Sequence, residues 1–71
     1  MKKEQANQLY LFVNDKPTME ALKFYIDLRI EALKELLTKA DSLDDIRRTQ
    51  GAIEELKRMK NIRDEVNNPR D

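Results

Sequence analysis

The side chains able to do chemistry in this chain are almost all carboxylates and amines. It holds 14 Lys and Arg and 14 Asp and Glu, with no His and no Cys. It therefore lacks an imidazole base, a thiol nucleophile and a classical zinc ligand set. Acid–base work would fall to paired carboxylates. The adjacent pairs Asp44–Asp45 and Glu54–Glu55 are neighbours on a helix, where consecutive side chains do not face each other. Gly51 is the only glycine, which excludes a glycine-rich phosphate loop. A chain this small also encloses little volume for a pocket. The expectation is a non-enzymatic protein with no catalytic, cofactor-binding or metal-binding residues.

A second chemical possibility is phosphate binding by Arg47, Arg48, Lys57, Arg58, Lys60 and Arg63. At about 100° per residue, Arg47 and Arg58 share a face with Glu54 and Glu65, while Arg63 turns toward the apolar stripe. The spacings Asp44–Arg48, Glu54–Arg58 and Lys60–Asp64 predict a solvated, mixed-charge surface. The formal net charge is zero, so there is no overall pull toward nucleic acid or a membrane surface. Neither is an expected partner.

The aromatic residues point instead to protein contacts. Phe24 projects among Glu20, Asp27 and Glu31 on the charged side of a helix, flanked by Tyr25 and Leu28. Either the N-terminal segment folds over it and makes it core, or it anchors a partner. Tyr10 and Phe12 present the same choice. The expected partner-binding set is Tyr10, Phe12, Phe24, Tyr25, Leu28, Gly51 and Ile62.

These residues are positioned by three predicted helices in one domain spanning 1–71. The central one covers 17–40. Within it, Met19, Leu22, Ile26, Ile30, Leu33 and Leu37 form one ridge, and Ala21, Tyr25, Leu28, Ala32 and Leu36 widen it to one side. Such a broad apolar arc predicts more than one neighbour. Pro17 suits a first helical turn, with Asp15 or Thr18 capping it. Within the segment 1–16, Lys2–Asn14 reads as a short helix with Ala6, Leu9, Tyr10 and Val13 on one side. The run Leu9–Val13 could also form a strand, but no second strand candidate exists to pair with it.

Asp41–Asp45 predicts a tight reversal, with Ser42 and Asp45 resembling a capping box. The third helix is expected over 43–66, its apolar set being Ile46, Ile53, Leu56, Met59, Ile62 and Val66. That stripe drifts around the helix, so the far end should meet a different neighbour, either the N-terminal segment or a second subunit. Gly51 interrupts this helix on its solvent side, either as a tolerated defect on an exposed face or, if its bareness has a use, to admit a contact from outside the hairpin. The remainder, 67–71, reads as a flexible tail.

The predicted fold is thus all-α, an antiparallel hairpin of two long helices with a short N-terminal helix. At 71 residues such a chain buries a modest fraction of its surface alone. With no disulfide or metal to support it, self-association or a larger partner is expected to complete the fold. Leu9–Val13 is too short an apolar run for a signal peptide, and no run approaches a membrane span. The expected location is a virion or the host cytoplasm.

The order of pieces resembles a group of short helical proteins encoded among the structural genes of tailed bacteriophages. The resemblance lies in an apolar segment ending at a proline, a helix like Ala21–Arg29, an acidic break, and the stretch from Ile46 to Leu56. Its motif is Arg47-Arg48-x-Gln50-Gly51-x-Ile53. What the resemblance implies is a non-enzymatic virion or assembly component, with no assigned catalytic residue. Its partners would be itself, as a homo-oligomer, or a larger capsid, portal or tail protein. Two other readings stand beside this one: a small nucleic-acid-binding regulator using Arg47 and Arg48, and an inhibitor of a host protein anchored by Phe24 and the N-terminal aromatics.

Overall fold

A computed structural model describes residues 1–69, and within these all the regular secondary structure is helical, with no strand. The elements are α1 (Lys3–Val13), α2 (Lys16–Lys39), α3 (Leu43–Met59) and α4 (Ile62–Asn67). The N-terminal run that could have been a strand is α1. Its inward residues are Ala6, Leu9 and Val13, the i, i+3, i+7 spacing of one helix face. Tyr10, expected on that same side, is exposed.

Side-chain caps set the helix boundaries. The Lys2 N–H donates to Gln5 Oε1 at 3.1 Å at the start of α1. Asn14 closes that helix, its Nδ2 donating to the Tyr10 carbonyl at 2.8 Å. Asp15 caps α2: its carboxylate accepts the Thr18 N–H at 3.2 Å and also the Thr18 hydroxyl. Pro17 sits in that first turn, where its missing N–H costs nothing. Ser42 caps α3 by accepting the Asp45 N–H at 3.1 Å, with Asp44 and Asp45 in the positively polarised first turn.

The single helix expected over 43–66 is broken. The Lys60 N–H donates to the Lys57 carbonyl at 3.2 Å and the Asn61 N–H to the Arg58 carbonyl at 3.0 Å. These i→i−3 bonds tighten the last turn and redirect the chain into α4. The two halves of the apolar stripe are used separately. Ile53 and Leu56 pack against α2, whereas Ile62 and Val66 pack with α1, and the break turns the second set toward α1.

Two apolar clusters result. Ala6, Val13, Met19 and Val66 form one, with Leu9 and Ile62 against it. Ile26, Ile30 and Ile53 form the other, with Leu33 and Leu56 against it. Leu22 packs on both. The second cluster joins α2 and α3 into a hairpin-like pair, and the first joins α1, α4 and the start of α2. Asn14 and Asn67 add a reciprocal amide pair, with bonds of 2.9 and 3.1 Å, between the ends of α1 and α4. The start of the expected tail, Asn67 and Asn68, is thus tied into the fold, Asn68 Nδ2 also donating to the Asp64 carbonyl at 3.2 Å. Positions 70–71 of that tail lie outside the described residues.

The assembly is extended. Its radius of gyration is 14.9 Å, against about 11 Å for a compact chain of this length. Its accessible surface is 5829 Å², where a compact monomer of this mass exposes about 4,600 Å².

Burial sets the expected cost of substitution. Ile26→Ala, at a fully buried position, should lower the unfolding free energy by about 2–5 kcal/mol. Leu11→Ala, at a position 83% exposed, should stay within about 0.5 kcal/mol. Urea denaturation followed by helical circular dichroism measures both, and similar midpoints for the two variants would contradict the core assignment.

Candidate protein interaction surface

The broad apolar arc of α2 divides into a covered part and an open part. Met19, Leu22, Ile26, Ile30, Leu33 and Leu37 are buried or half-buried among the other helices. Ala21, Tyr25, Leu28, Ala32 and Leu36 lie roughly 120° around the helix at its 100° step, and all five are exposed. Tyr25, Leu28 and Leu36 keep 58%, 54% and 56% of their surface. Phe24, at the edge of the same row, is 65% exposed. The N-terminal segment does not fold over it, because α1 packs its own inner face against the start of α2 and against α4.

The α2/α3 pair has two unlike sides. On one, Leu36 and Lys39 share a cleft with Asp45 and Arg48. Ala52 and Met59 follow Arg48 along that face of α3 at helical spacing and are exposed, so they extend the apolar row of α2 laterally. The other side is polar. Lys34, Gln50, Glu54 and Lys57 surround Leu37 and Ile53 there.

The remaining expected contact residues separate. Tyr10 and Phe12 are 54% and 42% exposed on α1, away from its core face. Gly51 is exposed, and a Cβ built on it meets nothing within 4 Å, so within the chain its lack of a side chain serves no packing purpose. Ile62 is half-buried against the Ala6–Val13–Met19–Val66 cluster, its surface largely taken up within the chain.

The charges form local pairs, though not all those that spacing suggested. Arg58 pairs with Glu55 at 3.6 Å instead of Glu54. Lys60 reaches across to Asp27 on α2 at 2.6 Å instead of along its own helix to Asp64. Glu31 and Lys34 pair as spaced, at 3.5 Å. Arg58–Glu55 and Glu31–Lys34 are exposed and Lys60–Asp27 is partly so, and pairs of this kind are worth about 0–1 kcal/mol each. Lys60–Asp27 matters more for geometry than energy, since it ties the break after α3 to the first half of α2.

Sequence reading missed one grouping. Lys16, Lys23 and Arg63 line a shallow cleft of about 370 Å³ with Glu20, Val13 and Met19. Arg63 is distant in sequence from the two lysines, and no local spacing signals the juxtaposition. Among the described residues no cluster of three or more His, Cys, Asp or Glu side chains forms. No helix there is long and apolar enough to cross a membrane. Comparison with family models, curated proteins and solved structures found no match for this chain.

Gly51→Ala tests whether that position is bare for the chain's own sake. The added methyl meets open space and removes the entropic cost of glycine in a helix, so the monomer should gain about 1 kcal/mol. A fall in thermal stability would show that Gly51 is needed within the fold.

Proposed function

We propose that this chain is a non-enzymatic protein–protein interaction component, acting in the structure or assembly of a tailed-phage particle. The carrying observation is the outward row of α2, Ala21–Tyr25–Leu28–Ala32–Leu36, left uncovered by the chain's own helices. A contiguous exposed apolar row of this extent is typical of a docking face. The phage setting is supported by the resemblance carried by Arg47-Arg48-x-Gln50-Gly51-x-Ile53. On this reading the antiparallel α2/α3 hairpin is the scaffold, α1 and α4 brace one end of it, and the row is completed by a protein partner. That partner belongs to the particle: another copy of the chain, or a capsid, portal or tail protein.

Mass spectrometry of purified particles and assembly intermediates should find the chain in stoichiometric amount. Leu28→Asp places a charge in the middle of the row without touching either apolar cluster. It should leave helicity unchanged and weaken incorporation at least about tenfold, a loss of ~1.4 kcal/mol or more. Absence of the wild-type chain from both particles and intermediates would overturn the reading.

A further inference from the structure

We infer that the occupant of the α2 row is a second copy of this chain, with the two α2 helices packed antiparallel about a two-fold axis level with Ile30. This rests on the interaction reading above and adds the identity and orientation of the partner.

The first argument is area. The chain exposes 5829 Å², roughly 1,200 Å² more than a compact monomer of its mass. A standard interface removes about 800 Å² per partner. The excess therefore covers one such contact. With no net charge on the chain, overall electrostatic repulsion does not oppose self-pairing.

The second argument is spacing. Positions 21, 25, 28, 32, 35 and 39 alternate steps of four and three, the seam of two packed helices. They carry Ala21, Tyr25, Leu28, Ala32, Glu35 and Lys39, with Leu36 beside Glu35. In a parallel pair each residue meets its own copy. Glu35 would then face Glu35 and Lys39 would face Lys39, with small residues opposite small at Ala21 and Ala32. An antiparallel pair centred on Ile30 removes all of these conflicts. Leu28 of one copy enters the gap at Ala32 of the other, Tyr25 lies against Leu36 with its hydroxyl toward Glu35, and the Lys39 stem covers Ala21. Bulky residues meet small ones and like charges separate. Glu31, on the rim near the axis, is held by Lys34 at 3.5 Å.

The pairing makes a specific exchange test possible. Sedimentation equilibrium of the full chain should show a dimer. Leu28→Ala and Ala32→Leu should each weaken it at least about tenfold, and the double variant should recover most of that loss, as residues in contact are non-additive. Both positions are exposed in the single chain, so circular dichroism should be unchanged in all three. Orientation is read by cysteine pairing, as the chain has no cysteine of its own. Positions 21 and 39 are about 27 Å apart along one helix, too far for an internal bridge. The variant Ala21→Cys/Lys39→Cys should form a covalent dimer on mild oxidation, and Ala21→Cys alone should not.

A crosslink through Ala21→Cys alone, or additive losses in the exchange series, would overturn the antiparallel register. A wild-type chain monomeric up to roughly 1 mM would overturn self-pairing. In that case, stoichiometric presence in particles that Leu28→Asp abolishes would leave the interaction reading standing, so the two failures are distinguishable.

Discussion

Leu22 packs on both apolar clusters, and that shared contact joins two parts with few other connections. On one side of it α2 binds α3 through Ile26, Ile30 and Ile53. On the other, α1 and α4 close over Met19 through Val13 and Val66. Both clusters are small, with four and three buried residues, and the short helices α1 and α4 depend on such packing, since short helices are marginal in water without it. Running α2 continuously through both makes one cooperative unit of two small cores. The Lys60–Asp27 pair and the Asn14–Asn67 amide pair lie at the edges of this joint. They fix the direction of the chain at the break after α3 and at the ends of α1 and α4.

The same arrangement leaves α2 with more apolar surface than the chain can cover. Its inner ridge is consumed by three neighbours, and the outer row from Ala21 to Leu36 has none. Extra burial would need another element, and the extended shape, 43 × 28 × 13 Å, leaves the side of the α2/α3 pair bearing this row open. An outward apolar row on a chain this small is costly to solubility, and the mixed charges of Arg29, Glu31, Glu35 and Lys39 around it offset that cost. This tension between a sufficient core and an uncovered face underlies the reading of the protein as an interaction component.

Much of the fold was legible along the chain because it rests on local physics. The cap at Ser42, and one at Asp15 or Thr18, were readable from residue type and offset, since a cap acts within one turn; the structure gives that second role to Asp15. The inward faces of α1 and α2 followed from helical spacing, and Ile26 and Val13 are buried as that spacing requires. The break at Lys60–Asn61 was not legible as a break. The drifting stripe of Ile53, Leu56, Ile62 and Val66 showed that the last part of the chain needed a different neighbour. It did not show whether the helix would curve, kink or end, because that depends on where α1 lies. Lys60 likewise had Asp64 at helical spacing and Asp27 in a distant segment, and the break decided which was in reach.

By itself, then, the sequence determined the all-helical character, the places where caps fall, the wide apolar arc of α2 and the lack of His and Cys. These follow from side-chain type and from periodicity, which act over one or two turns. Only the tertiary structure decided which part of the wide α2 arc is core and which is surface. Ala21, Tyr25, Leu28, Ala32 and Leu36 have the same apolar character as the residues beside them. Their exposure comes from the number and placement of the other helices, a property of the whole chain that no local pattern carries.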